Sequence, residues 1–145
     1  MCSSDLADVT LEVPLHPGKI LCAGVNFGPH RVEGGLPPER AEFPVIFARF
    51  AESVVGEGAP LRKPTFSDTF DYEGELGVVI GTRAWQVPVE SALDVVYGYT
   101  CFNDGTVREW QRHSPQWIPG KNFWRSGAMG PYLVDRKSTR LNSSH

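Results

Sequence analysis

The stretch Asp71-Tyr72-Glu73-Gly74-Glu75-Leu76-Gly77-Val78-Val79-Ile80 decides how this chain is read. Its second half is rich in branched residues and predicts a β-strand. Side chains on a strand alternate faces with period two, so Glu73 and Glu75 are expected on one face. Two carboxylates held side by side repel and raise each other's pKa. A hard cation removes that conflict, because it prefers carboxylate oxygens. The plain alternative is an exposed strand face carrying two solvated acids. Gly74 leaves the opposite face bare, which would suit close backbone packing.

On either side of this strand the chain alternates short elements. Val9 to Leu15 predicts an edge strand or linker, and Lys19 to Val25 a buried strand. Asn26 to Glu33 predicts a turn or short helix, broken by Gly34, Gly35, Pro37 and Pro38. Phe43 to Phe50 predicts a strand, and Val89 to Val96 a short helix. Tyr97 to Asn103 predicts another strand. Thr106 to His113 predicts a helical turn or two, capped by Asp104 or Thr106. Gly120-Lys121-Asn122 predicts a loop, and Pro131 to Val134 the start of a further strand. The fold class is α+β, with strands dominant.

The two ends read differently from the rest. Residues 135–145, Asp-Arg-Lys-Ser-Thr-Arg-Leu-Asn-Ser-Ser-His, are the in-frame translation of a widely used sequencing adapter. Residues 1–6 fit the reverse complement of the start of that adapter. Both ends are therefore expected to be adapter-derived and are set aside from fold reasoning. Residues 7–18 are expected to be a linker or the end of an N-terminal region, and 19–134 a partial domain. The formal net charge is −3 over all 145 residues. Without the two ends the acids fall from 17 to 15 and the bases from 14 to 11, giving −4. That balance argues against nucleic acid or an anionic membrane as the main partner. No apolar run reaches membrane-spanning length. Cys22 and Cys101 each lie in an apolar run and are expected to be buried free thiols, in a reducing, cytoplasmic setting.

Polar clusters collect at strand ends. His30 and Glu33 are three apart, neighbours on one helical face, where a carboxylate beside an imidazole suits acid/base work. A surface ion pair is the alternative. Asp104, at a strand terminus, can complete a carboxylate set with Glu73 and Glu75. Arg108 and Gln111 are again three apart and could offer donors to an anionic substrate. A capping Asp and a solvated helix face would explain the same residues. Lys121 could stabilise a developing enolate or oxyanion, or could be solvated. Trp110, Trp117 and Trp124 are expected to pack or to wall a pocket.

Each signal is weak alone, but their order is specific. Gly24 to Glu33, Pro44 to Phe47, Asp71 to Leu76, Gly98-Tyr99-Thr100, Asn103-Asp104 with Arg108 and Gln111, and Gly120-Lys121-Asn122 together resemble the fumarylacetoacetate hydrolase family. The resemblance spans nearly all of Lys19 to Val134. It implies the mixed β-roll of that family's catalytic domain, here the N-terminal half only. It implies Mg²⁺ or Mn²⁺, in some cases Ca²⁺, held by Glu73, Glu75 and Asp104. His30 and Glu33 would activate water or move a proton, Lys121 would stabilise an enolate, and Arg108, Gln111 and Asn26 would bind substrate.

The implied activity is hydrolysis of C–C bonds in small 2-oxo acids or acylpyruvates, through a metal-chelated enolate and His–Glu-activated water. The same site could run as an isomerase or decarboxylase if the water step is omitted, and a truncated chain could be inactive. The implied partners are a small 2-oxo acid and, for the parent protein, a second copy in a homodimer. Two departures from the family pattern stand out. Many relatives have Lys-Pro where this chain has Arg49-Phe50, near the expected substrate pocket. Relatives often carry Asp where Glu109 stands. A half-domain of this kind should show open sheet edges.

Overall fold

Alternating patches of branched residues and turn formers give many short elements rather than a few long ones. The computed structural model describes residues 10–39 and 41–137. In chain order these form β1 (Ile20–Gly24), α1 (Gly28–Glu33), β2 (Val45–Arg49), β3 (Val54–Val55), β4 (Phe70–Asp71) and β5 (Gly74–Ile80). There follow β6 (Val96–Asn103), β7 (Thr106–Val107), α2 (Arg108–Gln111), α3 (Ile118–Lys121), β8 (Gly127–Met129) and β9 (Val134–Asp135). The helical segment at Val89–Val95 is a 3-10 helix.

The main sheet has the order β3-β8-β6-β5, with β9 also on β6. β5 and β6 are antiparallel, with Gly74 opposite Asn103 and Glu75 opposite Phe102. Two small antiparallel ribbons flank this sheet. β1 pairs with β2 so that Cys22 faces Phe47, and β4 pairs with β7 so that Asp71 faces Thr106. These ribbons bring the ends of β2, β5 and β6 to one region. The buried apolar residues there and along the sheet are Cys22, Phe47, Val55, Phe102, Val107 and Met129. Equally buried are Arg49, Asp104, Thr106, Lys121 and Ser126, so this interior is unusually polar.

The expected open edge is present. Among the described residues β5 pairs with β6 alone. Its outward residues Leu76, Val78 and Ile80 are 70%, 50% and 56% exposed, which marks an apolar face rather than scattered surface residues. No helix among the described residues is long and apolar enough to cross a membrane.

Several expectations need correction. Of the two readings for Val9 to Leu15, edge strand or linker, the described residues 10–15 form no strand. The β1 strand is half-exposed rather than buried, because only Cys22 is covered by the ribbon. Cys101 is exposed, since it alternates away from Thr100 and Phe102 on β6. Gly74 faces open space, and the close approach falls instead at Gly77, where a Cβ would lie 2.9 Å from Thr100 Cγ2. Neither Asp104 nor Thr106 caps α2, because Thr106 is committed to β7 and Asp104 to buried cations; Thr69 Oγ1 accepts the Glu109 N–H instead, at 3.2 Å. Lys121 ends a short helix and is buried, not in a solvated loop.

Candidate functional site

Backbone ties bring the acids together. The β5 strand begins at Gly74, so Glu73 lies in the link between β4 and β5 and not on the strand itself. The Glu73 N–H donates to Asn103 Oδ1 at 3.0 Å, and the Asp104 N–H donates to the Glu73 carbonyl at 2.9 Å. This reciprocal clamp holds Glu73 against the end of β6. Carboxylate oxygens of Glu73, Glu75 and Asp104 all lie within 4.8 Å of one another. An all-carboxylate set of that size suits a hard divalent cation.

Cations of the protein surround this set. Lys121 Nζ donates to Asp104 Oδ2 at 2.5 Å and to Glu73 Oε1 at 2.9 Å. Arg108 Nη1 donates to Glu73 Oε1 at 2.6 Å, and its other nitrogens reach Asp71 Oδ2 at 2.8 and 3.0 Å. Thr106 Oγ1 also donates to Glu73 Oε1, at 2.5 Å. The Lys121 ammonium further sits 5.0 Å from the centre of the Phe47 ring. That ring meets Trp117 edge-on, and Trp117 packs against Gly24, where a Cβ would collide with it. An aromatic wall thus backs the lysine.

Environment splits the acids. Burial pushes Glu73 up, but hydrogen bonds from Lys121 and Thr106 and the charges of Lys121 and Arg108 outweigh it and hold the carboxyl below its usual range. Glu75 has no donor among the described residues. Partial withdrawal from water, then the charges of Asp104 and Glu73, raise its pKa. Burial, then the charges of Asp104 and Glu75, push the nearby Cys22 thiol up to about 12.

Sequence reasoning missed Arg49 and Thr106. Arg49 was expected near a substrate pocket, but its side chain is fully buried. It donates to Asp104 Oδ1 at 2.5 Å, the Gly105 carbonyl at 3.0 Å, Ser126 Oγ at 2.6 Å and Ser53 Oγ at 3.1 Å. Period-two alternation was the available signal, for it sets Arg49 on the same face as buried Phe47. A charge pointing inward needs a partner. Thr106 carried only the weak signal of a hydroxyl two residues beyond Asp104.

The structure brings together Glu73, Glu75, Asp104, Lys121, Arg108 and Gln111, the last accepting from Arg108 Nη1 at 3.3 Å. It does not bring His30, Glu33 or Asn26 into contact with the acids. His30 and Glu33 are exposed on α1, and neither bonds to the other. The helix is held instead through Arg31, whose guanidinium donates to the carbonyls of Pro37 and Val25 at 2.8 and 3.3 Å. Val25, just before it, has φ of 45°, a left-handed value that a branched residue adopts only under constraint.

The chain is 38% identical over 133 residues to the mitochondrial oxaloacetate tautomerase of Xenopus laevis, covering 90% of this chain and 41% of the relative. Among solved structures, 5-carboxymethyl-2-hydroxymuconate delta-isomerase from Mycobacterium smegmatis superposes with a TM-score of 0.79 at 34% identity, covering 90% of this chain and 51% of that one. A fumarylpyruvate hydrolase from Pseudomonas aeruginosa, solved with Mn²⁺ and pyruvate, superposes with a TM-score of 0.72 at 32% identity, covering 83% of this chain and 55% of that one. The chain thus spans about half the length of the relatives it matches. The fumarylacetoacetate (FAA) hydrolase C-terminal model matches residues 19–143, and the chain belongs to that family.

Proposed function

We propose that this chain carries the cation-binding half of an enzyme site for small 2-oxo acids. The primary reaction in this reading is hydrolytic C–C cleavage of acylpyruvate-like substrates. The observation that carries it is the convergence of Glu73, Glu75 and Asp104 with a buried lysine and a partly exposed arginine. Those three acids would hold a divalent cation, Mg²⁺ or Mn²⁺. When bound it supplies Lewis-acid polarisation of a chelating carboxylate and carbonyl.

The other roles fall to residues of the chain. Arg108, with Gln111 beside it, would turn its planar fork from Asp71 to a substrate carboxylate. Lys121 offers a fixed positive charge to an oxygen that becomes negative as the enolate forms. His30 and Glu33 would deprotonate the attacking water, which requires α1 to approach the acids. The parent protein would work as a homodimer.

A second reading is keto–enol isomerisation or tautomerisation, with decarboxylation as a variant. The separation of His30 and Glu33 from the acids favours it, because these reactions need no attacking water. The relatives include both an isomerase and a tautomerase.

Mn²⁺ titration of the chain and of its Glu73→Gln and Asp104→Asn variants tests the cation role. Binding should be lost in both variants, and binding that survives both unchanged overturns the proposal. The products formed from an acylpyruvate, oxaloacetate and a 2-hydroxydienedioate then separate hydrolase, decarboxylase and isomerase.

A further inference from the structure

Each carboxylate of the candidate site has two oxygens, and the structure commits them unequally. Asp104 Oδ1 is taken by Arg49, whose guanidinium and whose partner carboxylate are both 0% exposed. The same guanidinium is fastened by Ser126, Ser53 and the Gly105 carbonyl. Gly127 presses on it from the remaining side, where a Cβ would stand only 2.6 to 2.8 Å away. Arg49 therefore cannot swing aside without dismantling four contacts. Glu73 Oε1 already accepts three donors, Thr106, Arg108 and Lys121. Lys121 divides one ammonium between Asp104 Oδ2 and Glu73 Oε1, at the place a cation would contest.

We infer that Arg49 is a positioning residue that restricts Asp104 to a single ligand oxygen and thereby biases the site toward a small six-coordinate cation, Mg²⁺ or Mn²⁺, over Ca²⁺. The physical reason is coordination number. Ca²⁺ takes about six to eight oxygens and gains from two-oxygen carboxylates, whereas Mg²⁺ needs near-octahedral single contacts and keeps several waters. A carboxylate with one oxygen locked in a buried ion pair meets the second demand and not the first. Arg49 touches no substrate in this arrangement and acts through Asp104 alone. The inference rests on the proposed cation site.

The test measures Mn²⁺ and Ca²⁺ affinities of the full chain, from the free-Mn²⁺ paramagnetic resonance signal and its competition by Ca²⁺. Three proteins are compared: wild type, Arg49→Lys and Ser126→Ala. Lysine keeps the charge but has no fork, and the Ser126 change loosens the fork while leaving it in place. Wild type should prefer Mn²⁺, and Arg49→Lys should narrow that preference by about tenfold, the usual scale for groups behind a metal ligand. Ser126→Ala should narrow it less. Loss of both ions in equal proportion would show a merely structural role and overturn the inference while the cation site stands. Absence of Mn²⁺ binding in wild type would overturn both. If Arg49→Lys does not fold, the Ser126→Ala ratio decides by itself.

Discussion

Lys121 Nζ lies 2.5 Å from Asp104 Oδ2, and the two side chains are 2% and 0% exposed. A buried ammonium thus bridges Asp104 to Glu73, the position a divalent cation would contest.

Replacing Lys121 with Met should expose that competition. Removing one partner of a buried ion pair costs about 3–5 kcal/mol, because the other charge stays behind unpaired. Arg49 still holds one oxygen of Asp104, so the lower figure is expected. Added Mn²⁺ should then raise the melting temperature of Lys121→Met more than that of wild type. Equal shifts in thermal melts would mean that the lysine and the cation do not share a site.

The pH dependence of stability without added cation should carry the signature of Glu75. Its folded pKa is raised, so the native chain holds this proton where the unfolded chain has lost it. The stabilisation is present below the ordinary glutamate value and is lost as pH rises through the raised one. Glu73 acts in the opposite sense, contributing above the ordinary value and losing its effect as pH falls through its lowered one. Melting temperature should therefore decline above the ordinary glutamate range, and Glu75→Gln should flatten that decline. A decline of unchanged slope in the variant would assign it elsewhere.

Thiol chemistry should separate Cys22 from Cys101. Cys22 is buried with its thiol pushed up to about 12, whereas Cys101 is exposed. Iodoacetamide at mildly alkaline pH should modify Cys101 in the native chain and spare Cys22 until denaturant is added. Peptide mass mapping reads both sites, and equal labelling would contradict the packing of β1 on β2.

Two glycines flanking the acids should respond differently to alanine. A Cβ at Gly105 would collide with the backbone carbonyl of Ser126, which cannot rotate away, while one at Gly74 meets nothing within 4 Å. Gly105→Ala should cost at least about 2 kcal/mol, in the overpacking range, and should weaken Mn²⁺ binding through neighbouring Asp104. Gly74→Ala should stay within about 0.5 kcal/mol of wild type. Chemical denaturation of both variants is the check.

Much of this was legible in the residues. Branched runs located β1, β2, β5 and β6, because strand formation follows local patterning against a half-buried surface. The order of acids and bases pointed to Glu73, Glu75, Asp104, Lys121 and Arg108 as one group. Less legible were β7 and β8, two and three residues long, whose pairing is set by partners distant in sequence. The exposure of Cys101 was hidden for a related reason, since an apolar neighbourhood in sequence does not say which face of β6 is covered.

The sequence by itself determined the inventory: three carboxylates, their cationic neighbours and the strands that carry them. Only the tertiary structure decided which donors hold the oxygens of Asp104 and Glu73. It turned Arg49 inward onto Asp104, set Lys121 between two acids, and left His30 and Glu33 in solvent on α1. Spacing along a chain fixes which face a side chain leaves from, whereas hydrogen-bond partners more than fifty residues away, as Asp104 is from Arg49, depend on how the ribbons fold back on the sheet.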